Sequence, residues 1–171
     1  MKYGKYIFLV IYIFLVGLIF YFAASSGESS SELSSGLTDK LIEIYDFITP
    51  TKESVLERYS YSEISNFVRK AIGHFGLFTF MGIFAAMTYI YFIKRMNIRL
   101  IIIFVSGFII AGISEIIQIF AESRGPAFLD VLIDYSGYLI STGIIIGIMF
   151  IILKKRSKED GKEWFRINEN Y

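Results

Sequence analysis

Apolar residues along this chain fall into four blocks, with polar and charged stretches between them. Tyr6 to Ala24 carries no charge, and Ala71 to Ile93 holds His74 as its one ionisable group apart from tyrosines. Leu100 to Phe120 is interrupted by Glu115 and Gln118. Tyr135 to Leu153 is again uncharged, with Asp134 immediately before it. A helix of about 20 mostly apolar residues covers the ~30 Å hydrocarbon core of a bilayer. The pattern therefore predicts an all-α polytopic membrane bundle with transmembrane spans at 6–24, 71–93, 100–120 and 135–153. The spacing of the blocks does not repeat.

The polar stretch 25–70 has structure of its own. Ser25 to Ser35 is serine-rich and reads as a flexible linker. Leu37, Leu41, Ile44 (or Tyr45) and Ile48 then recur at helical spacing up to Pro50. This predicts an amphipathic helix lying at the outer interface or over the bundle. Ser60 and Glu63 form a capping-box pattern, so the second spanning helix should begin near Tyr61 and carry Arg69 and Lys70 into the headgroup zone.

The hydrophobic share, 54%, is close to that of many soluble domains; the bunching decides the class. Net charge is +1, which gives no basic footprint for nucleic acid. The chain has no cysteine, so disulfides, thiolate zinc sites and cysteine nucleophiles are all excluded. The first apolar block is longer than the ~7–15 residues of a signal-peptide core, so it reads as a retained anchor. Loop charges give an orientation. Lys2 and Lys5 precede the first span, Lys94, Arg95 and Arg99 surround the second turn, and Lys154, Lys155, Arg156 and Lys158 follow the last span. The 25–70 segment has eight acids against five bases, and the connection 121–134 has Arg124 as its one base. Both termini are therefore expected in the cytoplasm, in a multi-pass cell-membrane protein with 25–70 and 121–134 outside. Residues 1–153 form the transmembrane domain and 154–171 a basic cytoplasmic tail, polar and partly ordered.

Ionisable groups at membrane depth are costly and point to function or to a specific partner. Glu115 lies five residues from the outer end of its span, about 7–8 Å deep. Gln118 and Glu122 continue its stripe outward at i+3 and i+7, and Ala111 and Gly107 continue it inward. Small residues mark a face that meets another helix. Asp130, Asp134, Gly137 and Ser141 make a similar stripe on the last helix, and Gly82 shares the face of His74. His74, Glu115, Gln118, Arg124, Asp130 and Asp134 are thus expected within about two turns of the outer surface, on inward faces. The inner half has no such cluster. Glu115 and Arg124 are expected to interact, directly or through one partner. Asp130 could cap the last helix, and Arg69 and Lys70 read as snorkelling headgroup contacts. The aromatic residues read as lipid-facing bulk and interfacial belt.

Several of these features resemble the VanZ-like family. They are the stretch Ser25-Ser26-Gly27-Glu28-Ser29-Ser30, the basic pair before His-Phe in Arg69-Lys70-Ala71-Ile72-Gly73-His74-Phe75, and Glu-x-x-Gln-x-Phe at Glu115 to Phe120. An Arg-containing loop and the start of the last helix, Asp130 to Gly137, complete the pattern. Asp134 stands where similar sequences usually have Asn, and the Gln often found near the serine stretch is missing. The resemblance implies an envelope protein whose outer pocket binds a cell-envelope molecule or a partner and affects glycopeptide susceptibility. An alternative is a membrane-embedded enzyme acting on an extracytoplasmic lipid-linked substrate. His74 would then be acid or base with Glu115 beside it, and Arg124 would bind an anion. Asp130 and Asp134 could hold a divalent cation. A third reading, a small proton-coupled carrier, ranks last because the polar cluster stops in the outer half. No HExxH, GxSxG or Walker pattern favours a reaction class.

Overall fold

The computed structural model describes residues 3–49 and 55–168, with side chains through Lys155. Among these residues no strand forms, and four helices are long and apolar enough to cross a membrane. The elements are α1 (Gly4–Ala24), α2 (Gly27–Ile48), a short 3₁₀ turn (Val55–Glu57) and α3 (Tyr61–Val68). Then follow a π-helical segment (Arg69–Gly76), α4 (Leu77–Phe92), α5 (Met96–Gln118) and α6 (Phe128–Asn168). α3, the π segment and α4 run on as one helical span, Tyr61–Phe92. The protein is an all-α, multi-pass membrane bundle.

Small residues set the helix contacts, as a bundle in lipid requires. A methyl group on Gly107 would strike the Tyr138 ring, and one on Gly82 would strike Ser141 and the Tyr138 backbone. A methyl on Gly137 would lie 2.5 Å from the Phe75 carbonyl oxygen. α6 therefore touches α4, α5 and the π segment along one face. Tyr138 is wholly buried at the crossing, beside Ala111, Ala85 and Met81. α1 closes the bundle through Leu15, Ile19 and a stack of Phe8 on Tyr91. The outward faces remain apolar and exposed, among them Ile7, Val10 and Phe14 on α1 and Phe104, Val105 and Ile109 on α5. That is the surface a hydrocarbon solvent accepts.

The capping box at Ser60 forms, with Ser60 N–H donating to Glu63 at 2.9 Å, and the second spanning helix starts at Tyr61 as expected. The serine-rich linker does not form. Ser26 caps α2 by accepting from Ser29 N–H, and the helix takes in the whole stretch. Ser34 and Thr38 return their hydroxyls to backbone carbonyls four residues back, at 2.8 and 2.7 Å. Each hydroxyl is thereby satisfied, and both side chains are buried. The face that packs inward is thus small and hydroxylic. Leu41, Ile44 and Ile48 stay exposed, as an interfacial helix would leave them for lipid. Pro50, the expected stop, lies outside the described residues. α6 extends through the tail to Asn168, so the tail's backbone is helical; its side chains beyond Lys155 lie outside the described ones.

The other half of the bundle is more polar than its sequence suggests. Tyr12 and Tyr89 join hydroxyls at 3.0 Å, and Tyr138 meets Ser106 at 3.1 Å. These tyrosines hide their hydroxyls between helices, where a polar atom without a partner is costly. Arg99 is also buried. Its guanidinium donates to the Ile93 and Ile90 carbonyls, the open C-terminal end of α4.

Candidate functional site

At the α2 end of the bundle, a cavity of about 310 Å³ lies between α1, α2, the π segment, α5 and α6. Its apolar lining includes Ile19, Phe22, Leu33, Leu37, Ile72 and Phe78. Its polar lining includes Ser30, Arg69, His74, Gln118, Arg124 and Asp134. Four of the six candidates from the sequence, His74, Gln118, Arg124 and Asp134, line it. Glu115 and Asp130 do not line it but adjoin residues that do, Gln118 and His74.

The π segment explains the place of His74. A π turn holds an extra residue and widens the backbone locally. Here it presses against Gly137, where the absent side chain leaves room, and swings His74 onto the polar stripe of α6. His74 Nδ1 lies 3.1 Å from Asp134 Oδ1, and its Nε2 lies 4.0 Å from Asp130 Oδ2. The carboxylate facing the histidine directly is Asp134; the sequence pointed to Glu115. Asp130 accepts from Lys70 Nζ at 2.8 Å, so Lys70 is an internal partner and not a snorkelling contact.

Glu115 points into the bundle as expected and is 4% exposed. It has no ion pair with Arg124. One oxygen accepts from Gln118 Nε2 at 2.6 Å, and the other accepts from Ala127 N–H at 2.8 Å. Ala127 opens α6, so Glu115, and not Asp130, caps that helix. The arrangement makes sense electrostatically: a helix N-terminus presents free N–H groups and a positive dipole end to a carboxylate. Glu122 drops off the polar stripe because α5 ends at Gln118. The chain then turns through Ser123, whose φ of 58° is left-handed. Gly27 N–H donates to the Glu122 carbonyl at 2.8 Å, and a side chain on Gly27 would lie 2.6 Å from the Ser123 oxygen. The α5–α6 connection is therefore fastened to the start of α2.

Arg124 completes that fastening. It donates to the Phe22 carbonyl at 2.8 Å, to the Ala23 carbonyl at 3.5 Å and to Ser30 Oγ. These are the end carbonyls of α1, which a cation stabilises. A guanidinium has five donors, so it keeps some for a ligand in the cavity. Burial, and then the neighbouring Arg69 cation, hold Arg124 below its ordinary pKa. An arginine remains charged at neutral pH regardless. Two cations thus converge on one cavity. Ser30, Lys70 and the α1 carbonyls could not be read as partners from the chain, since each lies 60 or more residues from the group it meets.

His74, Glu115 and Asp134 each offer an atom that lies within 4.8 Å of the other two. The expected pair of cation-holding aspartates is rearranged: Asp130 is taken by Lys70, and Glu115 stands with Asp134 instead.

Residues 8–154 match the model of one protein family, described as VanZ/LLP1. No curated protein matches the chain, and no solved structure does.

Proposed function

This chain belongs to the VanZ/LLP1 family, and on that footing we propose that its α2-end cavity binds an anionic, lipid-linked molecule of the cell envelope. One observation carries the reading: a cavity lined mainly by apolar side chains also bears two guanidinium groups, Arg69 and Arg124, close enough to act on one another. An acyl or prenyl chain would lie along Leu33, Leu37, Ile72 and Phe78. A phosphate headgroup would take the spare donors of Arg124 and Arg69. The loop charges favour an extracytoplasmic cavity, which is the side this reading takes. Holding such a molecule there would alter glycopeptide susceptibility, as the family resemblance implies.

Binding in nanodiscs tests it. The purified protein should retain phosphatidylglycerol, or a single-chain lipid phosphate, over zwitterionic phosphatidylcholine. Arg69→Gln should weaken that preference by roughly tenfold, the loss of one charge-assisted contact. Arg69 is the better probe because its one described side-chain partner is the exposed Asn66. Equal retention of anionic and zwitterionic lipids would refute the reading.

A membrane-embedded enzyme is the second reading. The His74–Asp134 contact favours it, because a carboxylate on one ring nitrogen orients a histidine for acid–base work on the other. The carrier reading has the buried tyrosine and serine hydroxyls in its favour. No carboxylate or histidine lies within the spans between Asp134 and the α4–α5 turn, however, so the proton-binding groups stop at the α2 end.

A further inference from the structure

We propose that His74, Glu115 and Asp134 form a binding site for one divalent transition cation, of the Zn²⁺ or Mn²⁺ kind, at the floor of the cavity. This builds on the anionic-lipid reading, because the cation would face the same cavity. Three observations converge.

The first is the donor set. One imidazole and two carboxylates are the ligand types these ions share. Their atoms come from three separate elements, the π segment, α5 and α6, and lie within 4.8 Å of one another. Ligands on one ion with bonds of about 2.0–2.1 Å sit roughly 3.3 Å apart, so the side chains need to close by up to about 1.5 Å.

The second is charge. Glu115 is 4% exposed and Asp134 is 1% exposed. Among the described residues, neither has a Lys or Arg within ion-pair distance; Lys70 is spent on Asp130. Arg124, the expected counter-charge, turns instead to the α1 carbonyls. Among the same residues, the one partner of either that can carry positive charge is His74, against Asp134, and only when its ring is protonated. With a neutral ring the two buried carboxylates have no counter-charge, which is costly in a bilayer, and a divalent ion removes that cost.

The third is the surround. Metal-binding histidines commonly give their second ring nitrogen to a carboxylate, and metal-binding carboxylates are themselves hydrogen-bonded. His74 turns Nδ1 to Asp134 and Nε2 toward Asp130, and Lys70 holds Asp130 in place. Gln118 and the Ala127 N–H hold one Glu115 oxygen each and leave lone pairs free. With three protein ligands, a fourth position stays open, as in catalytic sites. His74 and Asp134 line the cavity, so that position faces it and can accept a phosphate oxygen.

Full-length protein in detergent, stripped with a chelator and titrated with Zn²⁺, Mn²⁺ and Co²⁺, tests the inference. One equivalent per chain is expected, with Co²⁺ giving the visible absorption bands of a coordinated ion. Asp134→Asn and His74→Gln should each abolish the bands while circular dichroism and elution volume stay those of the wild type. Asp130→Asn should weaken affinity by about 10–100-fold without removing the site. Absence of bands and of stoichiometric binding in the wild type would mean that the carboxylates share protons, and would overturn the inference. Binding that persists in folded Asp134→Asn would place any ion elsewhere and overturn it too. Lipid retention is measured in parallel with chelator present. Retention without metal binding refutes the cation site and leaves the lipid reading standing; metal binding without anionic preference does the reverse.

Discussion

Glu115 and Asp134 are both buried carboxylates, yet the structure gives them different tasks. Glu115 carries the junction of α5 and α6, because it alone accepts the Ala127 N–H and the Gln118 amide. Glu115→Ala should therefore lower thermal stability in detergent by on the order of 2 kcal/mol, since a buried donor on Gln118 and a half-buried one on Ala127 lose their acceptor. Glu115→Gln keeps one acceptor oxygen and should lose less. Asp134→Asn keeps both shape and an acceptor for His74. It should fold at wild-type abundance, measured by quantitative blotting of membranes. The inward aim of Glu115, Gln118 and Asp134 was legible in the sequence because small residues share their faces. Their pairings were not. Lys70, which meets Asp130, lies on a π turn, and helical spacing alone does not place it there. Arg124 seeks backbone carbonyls, which no residue pattern reveals.

At the scale of elements, the bundle depends on glycines whose missing side chains admit a neighbour's backbone. A methyl on Gly82 would come within 2.7 Å of the Tyr138 carbonyl oxygen, which cannot rotate away. Gly82→Ala should part α4 from α6 and cost about 1–3 kcal/mol. Gly143, which has open space around it, supplies the control. Gly143→Ala should be neutral or slightly stabilising, by up to ~1 kcal/mol of helix propensity. Thermal melts of the two variants side by side check this. The spans themselves were legible from hydropathy, and the start at Tyr61 from its capping box. α2 misled because serine composition signals flexibility in isolation. Here Ser26 caps, and Ser34 and Thr38 bond back to the helix, so the same residues become a small, packable face. The π segment has no sequence signature beyond Gly73 and Gly76.

For the whole molecule, everything functional depends on which side of the membrane the cavity faces. The chain lacks cysteine, so single introduced thiols report without background. Cysteine at the exposed Ser29 should label from outside intact cells, and cysteine at Asn97, at the opposite end, should label only after lysis. The reverse pattern would turn the cavity to the cytoplasm and remove the link to envelope molecules. Susceptibility to a lipoglycopeptide, measured at matched membrane abundance, should rise in Arg69→Gln if the cavity works; a change only in step with abundance would make these residues structural. The most direct test is an experimental density map of the protein in nanodiscs containing phosphatidylglycerol. A headgroup is expected against Arg124 and Arg69, with its chain along Leu33, Leu37 and Ile72. A map in which α2 collapses onto His74 and leaves no room between them would contradict it.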